Sequence, residues 1–256
     1  MSPQGAGAGG GDRPHVLVNM AMTADGKIAT ARRTAGSFGS RRDEEQLHAL
    51  RATADAVLCG ARTVNLGNVD LGSGPTRFRR QRLRSGLAER HLRVVATGSG
   101  RVDPAARVFR QRGSPLILLT TGRVPDRRLG RLRALADAVG VFGDEEIDLR
   151  AALGWLRREW GVLRLLSEGG GELNSALFRE GLVDELHLTV CPLVFGGAAA
   201  PTIADGVAWG GLGEATRCRL RSARRVGAEL FLVYDVLPVA SAWRARSQRK
   251  SLRRLR

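Results

Sequence analysis

Three consecutive glycines set directly behind a short apolar run constrain this chain more than any other feature. From Val162 it reads Val-Leu-Arg-Leu-Leu-Ser-Glu-Gly-Gly-Gly-Glu-Leu-Asn, and it continues through Phe178-Arg179-Glu180-Gly181-Leu182-Val183-Asp184-Glu185 to Pro192 and the Gly196-Gly197 pair. Val162–Leu166 has the length and composition of a buried strand. Gly169, Gly170 and Gly171 give a main chain able to turn sharply and approach a ligand closely. Leu173, Ala176 and Leu177 recur at helical spacing until Gly181 ends the helix, and Leu186, Leu188 and Val190 then alternate as a strand. A glycine turn that leaves a strand and opens a helix presents free N–H groups and the positive end of a helix dipole. It suits a phosphate; the plainer alternative is a tight connection that binds nothing. Glu168, a carboxylate at the strand tip, is poorly placed for core packing and well placed to accept hydrogen bonds from a ligand.

The same alternation runs through the chain. His15–Met20, Ala56–Cys59, Leu92–Ala96, Leu116–Thr120 and Val139–Phe142 read as strands. Helices are expected behind an N-cap at Ser40, near residues 126–138 and over residues 148–159. Asp43 and Glu44 fit the first turn of the Ser40 helix, where acids oppose the dipole. Strands alternating with helices predict an α/β fold around a largely parallel sheet. Leu186–Val190 and Glu229–Val236 read as an antiparallel pair closing one edge. No Gly-x-Gly-x-x-Gly fingerprint follows a strand.

Composition narrows the function classes. No apolar run approaches a membrane span, and Cys59, Cys191 and Cys218 are spaced too widely for a ligand set, so we expect reduced thiols, no metal and a cytoplasmic setting. The net charge is +16, with seven positive charges after Ala240. Residues 238–256 therefore read as a basic tail, and residues 1–13 as a flexible leader, around a single folded unit spanning 14–237. Nucleic acid is not the expected partner, because Trp243 alone gives the tail no stacking pattern. The arginine-rich stretch after Thr76 reads as an insertion carrying a solvated helix. Only two of the 41 basic residues are lysines, and only Lys27 falls inside the folded unit, just after the Asp25-Gly26 turn.

Ser-Glu-Gly-Gly-Gly-Glu-Leu-Asn, Phe-Arg-Glu-Gly-Leu-Val-Asp-Glu and Pro-Leu-Val-Phe-Gly-Gly resemble the pyrimidine reductases of riboflavin biosynthesis. Asn19 through Lys27 and Leu47 through Val64 extend the likeness to about Val16–Val236. The resemblance implies a dihydrofolate-reductase-like three-layer fold, NADPH as cofactor, a phosphorylated small-molecule substrate and a homodimer. It implies that Lys27 and Glu168 are catalytic and that Asn19, Asp25, Arg51 and Asn68 meet the substrate, with Arg51 facing its phosphate. Gly60, Thr63, Ser99, Arg101, Gly169, Gly170, Gly171, Glu172, Leu173 and Asn174 are expected on the cofactor side. An arginine at 101 suits the 2′-phosphate of NADPH. The apolar strand Leu186–Val190, leading to Pro192 and Phe195, is expected at the dimer interface.

Departures leave alternatives open. Asn68 stands where the family has an aspartate, and the family's Leu-Thr-x-Arg is missing. A same-fold reductase of another pterin- or pyrimidine-like substrate is one alternative, and a basic scaffold without chemistry is another. The zinc-deaminase signature (His-x-Glu with Pro-Cys-x-x-Cys) is absent from this sequence, so the expected activity is that of a stand-alone reductase.

Overall fold

The computed structural model describes residues 11–33, 38–66 and 69–238. The expected basic tail, most of the leader and Asn68 lie outside them. Nine strands form one sheet: β1 (His15–Thr23), β2 (Ala56–Gly60), β3 (Leu92–Ala96), β4 (Leu116–Thr120), β5 (Ala138–Val141), β6 (Arg164–Ser167), β7 (Glu185–Cys191), β8 (Cys218–Val226) and β9 (Glu229–Val236). Their order is β5-β4-β3-β2-β6-β1-β7-β9-β8. Pairings from β5 to β7 are parallel, while β7–β9 and β9–β8 are antiparallel.

Strand alternation makes the three layers. Val16, Val18, Leu58, Val94, Ile117 and Leu165 face one side with Leu153, Leu156 and Leu177, which belong to α6 (Leu149–Glu159) and α7 (Gly171–Arg179). Leu17, Val57, Cys59, Val95, Leu118 and Leu166 face the other. There they meet Leu50 of α1 (Arg41–Arg51), Val64 of α2 (Ala61–Asn65), Val108 of α4 (Arg107–Arg110) and Leu132 of α5 (Asp126–Leu135). The parallel strands are covered on both faces, which is why they read as continuous apolar runs.

The chain winds outward from β2 to β5 and then returns to insert β6 between β2 and β1. The winding direction therefore reverses at β6, and ligands of open α/β sheets bind outside the carboxyl ends of strands at such a point. The glycine loop leaves β6 there.

Two expectations are corrected. The arginine-rich segment forms α3 (Thr76–Arg84), and it is docked rather than solvated. Phe78 is buried against His48, and Arg82, 1% exposed, donates to the carbonyls of Arg51, Ala54 and Ala88. The carbonyls of Arg51 and Ala54 lie at and beyond the end of α1, where unsatisfied acceptors and a negative dipole favour a cation. Second, β7 is an interior strand, hydrogen-bonded to β1 and β9. Its apolar residues are covered within the chain. The true edge is β8, whose sequence Cys-Arg-Leu-Arg-Ser-Ala-Arg-Arg-Val is exposed along nearly its whole length. Charge on an edge strand discourages further pairing, and that charge also hid the strand from hydropathy.

Candidate active site

A cleft of about 1020 Å³ opens at the carboxyl ends of β1, β2, β3 and β6. One wall is made of backbone. Gly60 N donates to Gly169 O at 2.7 Å, and Gly170 N donates to the Thr63 hydroxyl at 3.0 Å, so the turns behind β2 and β6 are locked together. Gly169 has φ +79°, open to glycine at little cost, and the Gly169–Gly170 peptide is cis. Gly170 caps α7 with no side-chain hydrogen bond, so the first-turn N–H groups of that helix have no side-chain acceptor at the cap. A Cβ at Gly60 or Gly98 would find no atom within 3.7 Å, and both residues line the cleft. The missing side chains are thus room in the cleft, which fits an elongated phosphate-bearing cofactor lying across these turns.

Cations surround this wall. Arg62 pairs with Glu172, and Arg123 with Glu145 at 3.1 Å. The guanidinium of Arg101 makes no hydrogen bond or ion pair among the described residues. Ser99, Glu172 and Leu173 line the same wall.

The opposite wall is built of side chains on α1 and on the turn after β1. Here Arg51 is engaged within the protein. Its guanidinium, 5% exposed, donates to both oxygens of Glu168 at 2.6 and 2.7 Å, to Gly72 O at 2.9 Å and to Asp70 O at 2.7 Å. A guanidinium has five N–H donors, so little of this one is left for a substrate phosphate. Glu168 reaches the cleft with both oxygens held by the fork. Cys59 lies beneath the pair, and its thiol is pushed up to about 12 by burial first and then by the Glu168 charge.

Asp25 and Asn174 are bonded within the scaffold. Asp25 accepts from the Thr23 hydroxyl, Gly196 N and Phe195 N, a turn clamp that holds its carboxyl below the ordinary range, the Thr23 bond being the largest cause. Asn174 is fully buried, accepting from Ser167 and donating to Ile203 O. Neither lines the cleft. Asn19 is buried in the register position beside His187, on the sheet face that carries α1. Lys27 is half-buried, with Nζ donating to Ala200 O at 3.2 Å and its backbone bridging to Thr202. Its neighbours Ile28 and Ala29 are cleft residues, as are Met20 and Phe38.

Sequence reasoning missed Asp43, assigned only to the dipole of α1. Asp43 lines the cleft, and its carboxyl, with Oδ1 buried, accepts a hydrogen bond from Thr189 and is raised above the usual carboxylate range by burial first and by the nearby Glu229. It also missed Glu180, pushed up to about 7 by burial and the Asp148 charge. Neither carries a motif, because each matters only through what the fold places beside it.

A cleft at the reversal point of a mostly parallel sheet, glycine-walled and cation-rimmed, is that of an α/β protein suited to a phosphate-bearing nucleotide. Residues 14–232 match the family model described as the RibD C-terminal domain. The chain belongs to that family, the dihydrofolate-reductase-like reductases of riboflavin biosynthesis, which use a nicotinamide cofactor. Two similar proteins are named 2,5-diamino-6-ribosylamino-4(3H)-pyrimidinone 5′-phosphate reductase. The one from Archaeoglobus fulgidus is 33% identical over 84% of this chain and 94% of its own length. That from Methanothermobacter thermautotrophicus is 34% identical over 88% and 99%. Among solved structures, a pyrimidine reductase-like protein from Corynebacterium diphtheriae shares the fold with TM-score 0.73 at 22% identity, covering 88% of this chain and 92% of that one. No helix among the described residues is long and apolar enough to cross a membrane.

Proposed function

We propose that this chain reduces the ribosyl C1′ of a pyrimidine ribosylamine 5′-phosphate to the ribitylamino product, with NADPH as hydride donor. The observation that carries the reading is the convergence, in one cleft, of the locked glycine turns, an unpaired Arg101 and the turn bearing Lys27. The nicotinamide supplies the hydride when bound. Gly60, Thr63 and Gly169–Leu173 hold its phosphates and carboxamide, and Arg101 and Ser99 receive the 2′-phosphate. In the ring-opened substrate C1′ is doubly bonded to nitrogen, so a hydride to C1′ requires a proton at that nitrogen. Lys27 has two N–H donors without a partner among the described residues and delivers it, or holds the sugar hydroxyls for delivery from water.

A reductase of a different pterin- or pyrimidine-like substrate is the second reading, favoured by one observation: Arg51 is consumed within the protein. The test is oxidation of NADPH in the presence of the diaminopyrimidinone and the aminouracil phosphoribosyl compounds. Turnover of either, with tighter binding of NADPH than NADH, is the expected result. Absence of turnover with both in a protein that binds NADPH overturns the substrate assignment.

A further inference from the structure

We infer that the chain has a second ligand site at the end of the sheet opposite the cleft: a pocket between the loop after α4 and the turn before β5, which takes the phosphate ester of a small molecule of nucleoside size. The inference goes beyond the reductase reading above and does not depend on it.

Arg93 is the second residue of β3, Leu116 is the first of β4, and Asp137 immediately precedes β5. These strands are parallel, so their amino ends lie at the edge of the sheet away from the glycine turns. A cavity of about 810 Å³ opens there, lined by Arg93, Phe109, Arg110, Arg112, Ser114 and Asp137 among others. That is the size of a small-molecule pocket, and far more than a lone phosphate fills.

The buried arginines are answered differently. Arg51 has the Glu168 carboxylate, and Arg82 has three carbonyls, two of them at and beyond the end of α1. Arg93, equally buried, donates to Val108 O at 2.7 Å and to Ser114 O at 2.6 Å, but its Nε is buried with no hydrogen-bond partner and it makes no ion pair among the described residues. Burial holds this guanidinium below its ordinary range, with Asp137 and then Asp70 opposing from beyond ion-pair distance. A buried cation without a bonded anion favours any anion that can enter the space beside it. More donors stand around that space. The guanidinium groups of Arg90, Arg110 and Arg112 are exposed and make no hydrogen bond or ion pair among the described residues, and Arg90 packs on Gly113, where a Cβ would meet it at 2.5 Å. The N–H groups of Arg112, Gly113 and Ser114 have no acceptor among the described residues either. Guanidinium forks and free backbone amides are the groups that hold phosphate oxygens.

The loop is held in place from within the protein. Arg93 ties together its two ends, Val108 and Ser114, while Gln111 Nε2 donates to Asp70 Oδ1 at 2.6 Å and Arg107 pairs with Asp70 at 2.7 Å. Little ordering is left for a ligand to impose. The other wall has the opposite sign. Asp137 stands there with the last residues of α5, whose final carbonyls carry the negative end of the helix dipole. Phe109, Pro115 and Leu135 add apolar surface. A simple anion filling the cavity would be repelled at the Asp137 side. The fit is a molecule with a phosphate at one end, a flat or apolar body, and N–H or O–H donors at the other.

The test is calorimetric titration of adenosine 5′-monophosphate, and separately of inorganic phosphate, into the full chain with NADPH in excess to occupy the cleft. Hydrogen exchange with and without the nucleotide then locates the site. The nucleotide should bind about 10-fold or more tightly than inorganic phosphate, with new protection over residues 109–116 and 134–137. The double variant Arg110→Ser/Arg112→Ser removes two exposed side chains, so thermal unfolding and NADPH affinity should be unchanged. Its affinity for the nucleotide should fall by about 10- to 100-fold, the loss of charge-assisted hydrogen bonds. Undiminished binding in the double variant overturns the proposal, as does protection that falls on the cleft instead. Equal affinity for the nucleotide and inorganic phosphate, or no binding of the nucleotide at millimolar concentration, overturns it too. If NADPH does not bind, the reductase reading fails by itself, and the double variant and the exchange pattern still decide on this pocket.

Discussion

The two walls of the cleft are built on opposite principles. The wall across β2, β3 and β6 is made of turns whose amides bond one another, with glycines giving room. The wall across α1 is made of side chains from distant parts of the chain: Arg51 on Glu168, Asp70 and Gly72, Asp43 under Thr189, and His91 beneath the Leu71–Ser73 loop. A backbone wall is insensitive to pH and fragile to added atoms. A side-chain wall tolerates volume better, and it responds to charge.

The largest effect that separates them is expected at Arg51. Arg51→Met leaves the buried Glu168 carboxylate without its partner and frees two loop carbonyls, which should cost about 3–5 kcal/mol of stability. Urea unfolding measures it, and a loss below about 1 kcal/mol would mean that Glu168 finds other partners. The second effect is a pH dependence confined to the side-chain wall. His91 is buried, donating Nε2–H to Leu71 O at 2.8 Å and contacting the Ser73 hydroxyl at 3.2 Å, and burial lowers its pKa to about 3. The unfolded chain takes up that proton near pH 6.5. His91 therefore contributes fully above 6.5, and its contribution falls as pH drops toward 3, by at most about 1.4 kcal/mol per unit. His91→Gln should flatten the acid limb of stability measured between pH 7 and 4.

The backbone wall answers to atoms instead. A Cβ at Gly171 would stand 2.5 Å from the carbonyl of Thr202, so Gly171→Ala should cost about 1–3 kcal/mol. Gly60→Ala meets nothing nearer than 3.7 Å within the protein. It should leave stability alone and weaken NADPH binding about 10-fold, since the methyl fills cofactor space. Titrating both variants with NADPH beside thermal unfolding makes the contrast; equal loss of stability in the two would dissolve it. The smallest effect joins the walls. Glu180 loses its proton near 7, so the affinity of a polyanionic cofactor should fall about two- to threefold as pH rises through that value, and Glu180→Gln should abolish the step.

This division explains what could be read from the sequence. The strands from β1 to β6, the N-cap at Ser40 and the glycine loop were legible because burial on two faces and φ > 0 select residue types locally. The turns holding Gly60, Thr63 and Gly169–Leu173 were legible for the same reason. The pairing of Arg51 with Glu168 was not legible, since nothing local shows that a residue more than a hundred positions on takes its fork. Asp43 looked like a helix-cap acid because its partner Thr189 lies on a strand that the sequence places far away. Arg82 was misread and β8 missed for a common reason. Arginine counts as solvated in any hydropathy scale, although its fork can close a helix end and its stem can line an edge.

The insertion of β6 between β1 and β2 carries a consequence for how the chain is made. His15 pairs with Arg164, and Ala56 with Leu165, so β1 and β2 leave the ribosome long before the strand that joins them. Until then β2 shows a bare apolar edge, Ala56–Gly60, to whatever it meets. Contacts so distant in sequence slow folding and prolong that exposure. The last strand to enter the centre of the sheet is also the one that brings Glu168 and the glycine loop, so the cleft is completed in the step that closes the sheet. A nascent or truncated chain ending before Arg164 should aggregate rather than wait as a half-built enzyme.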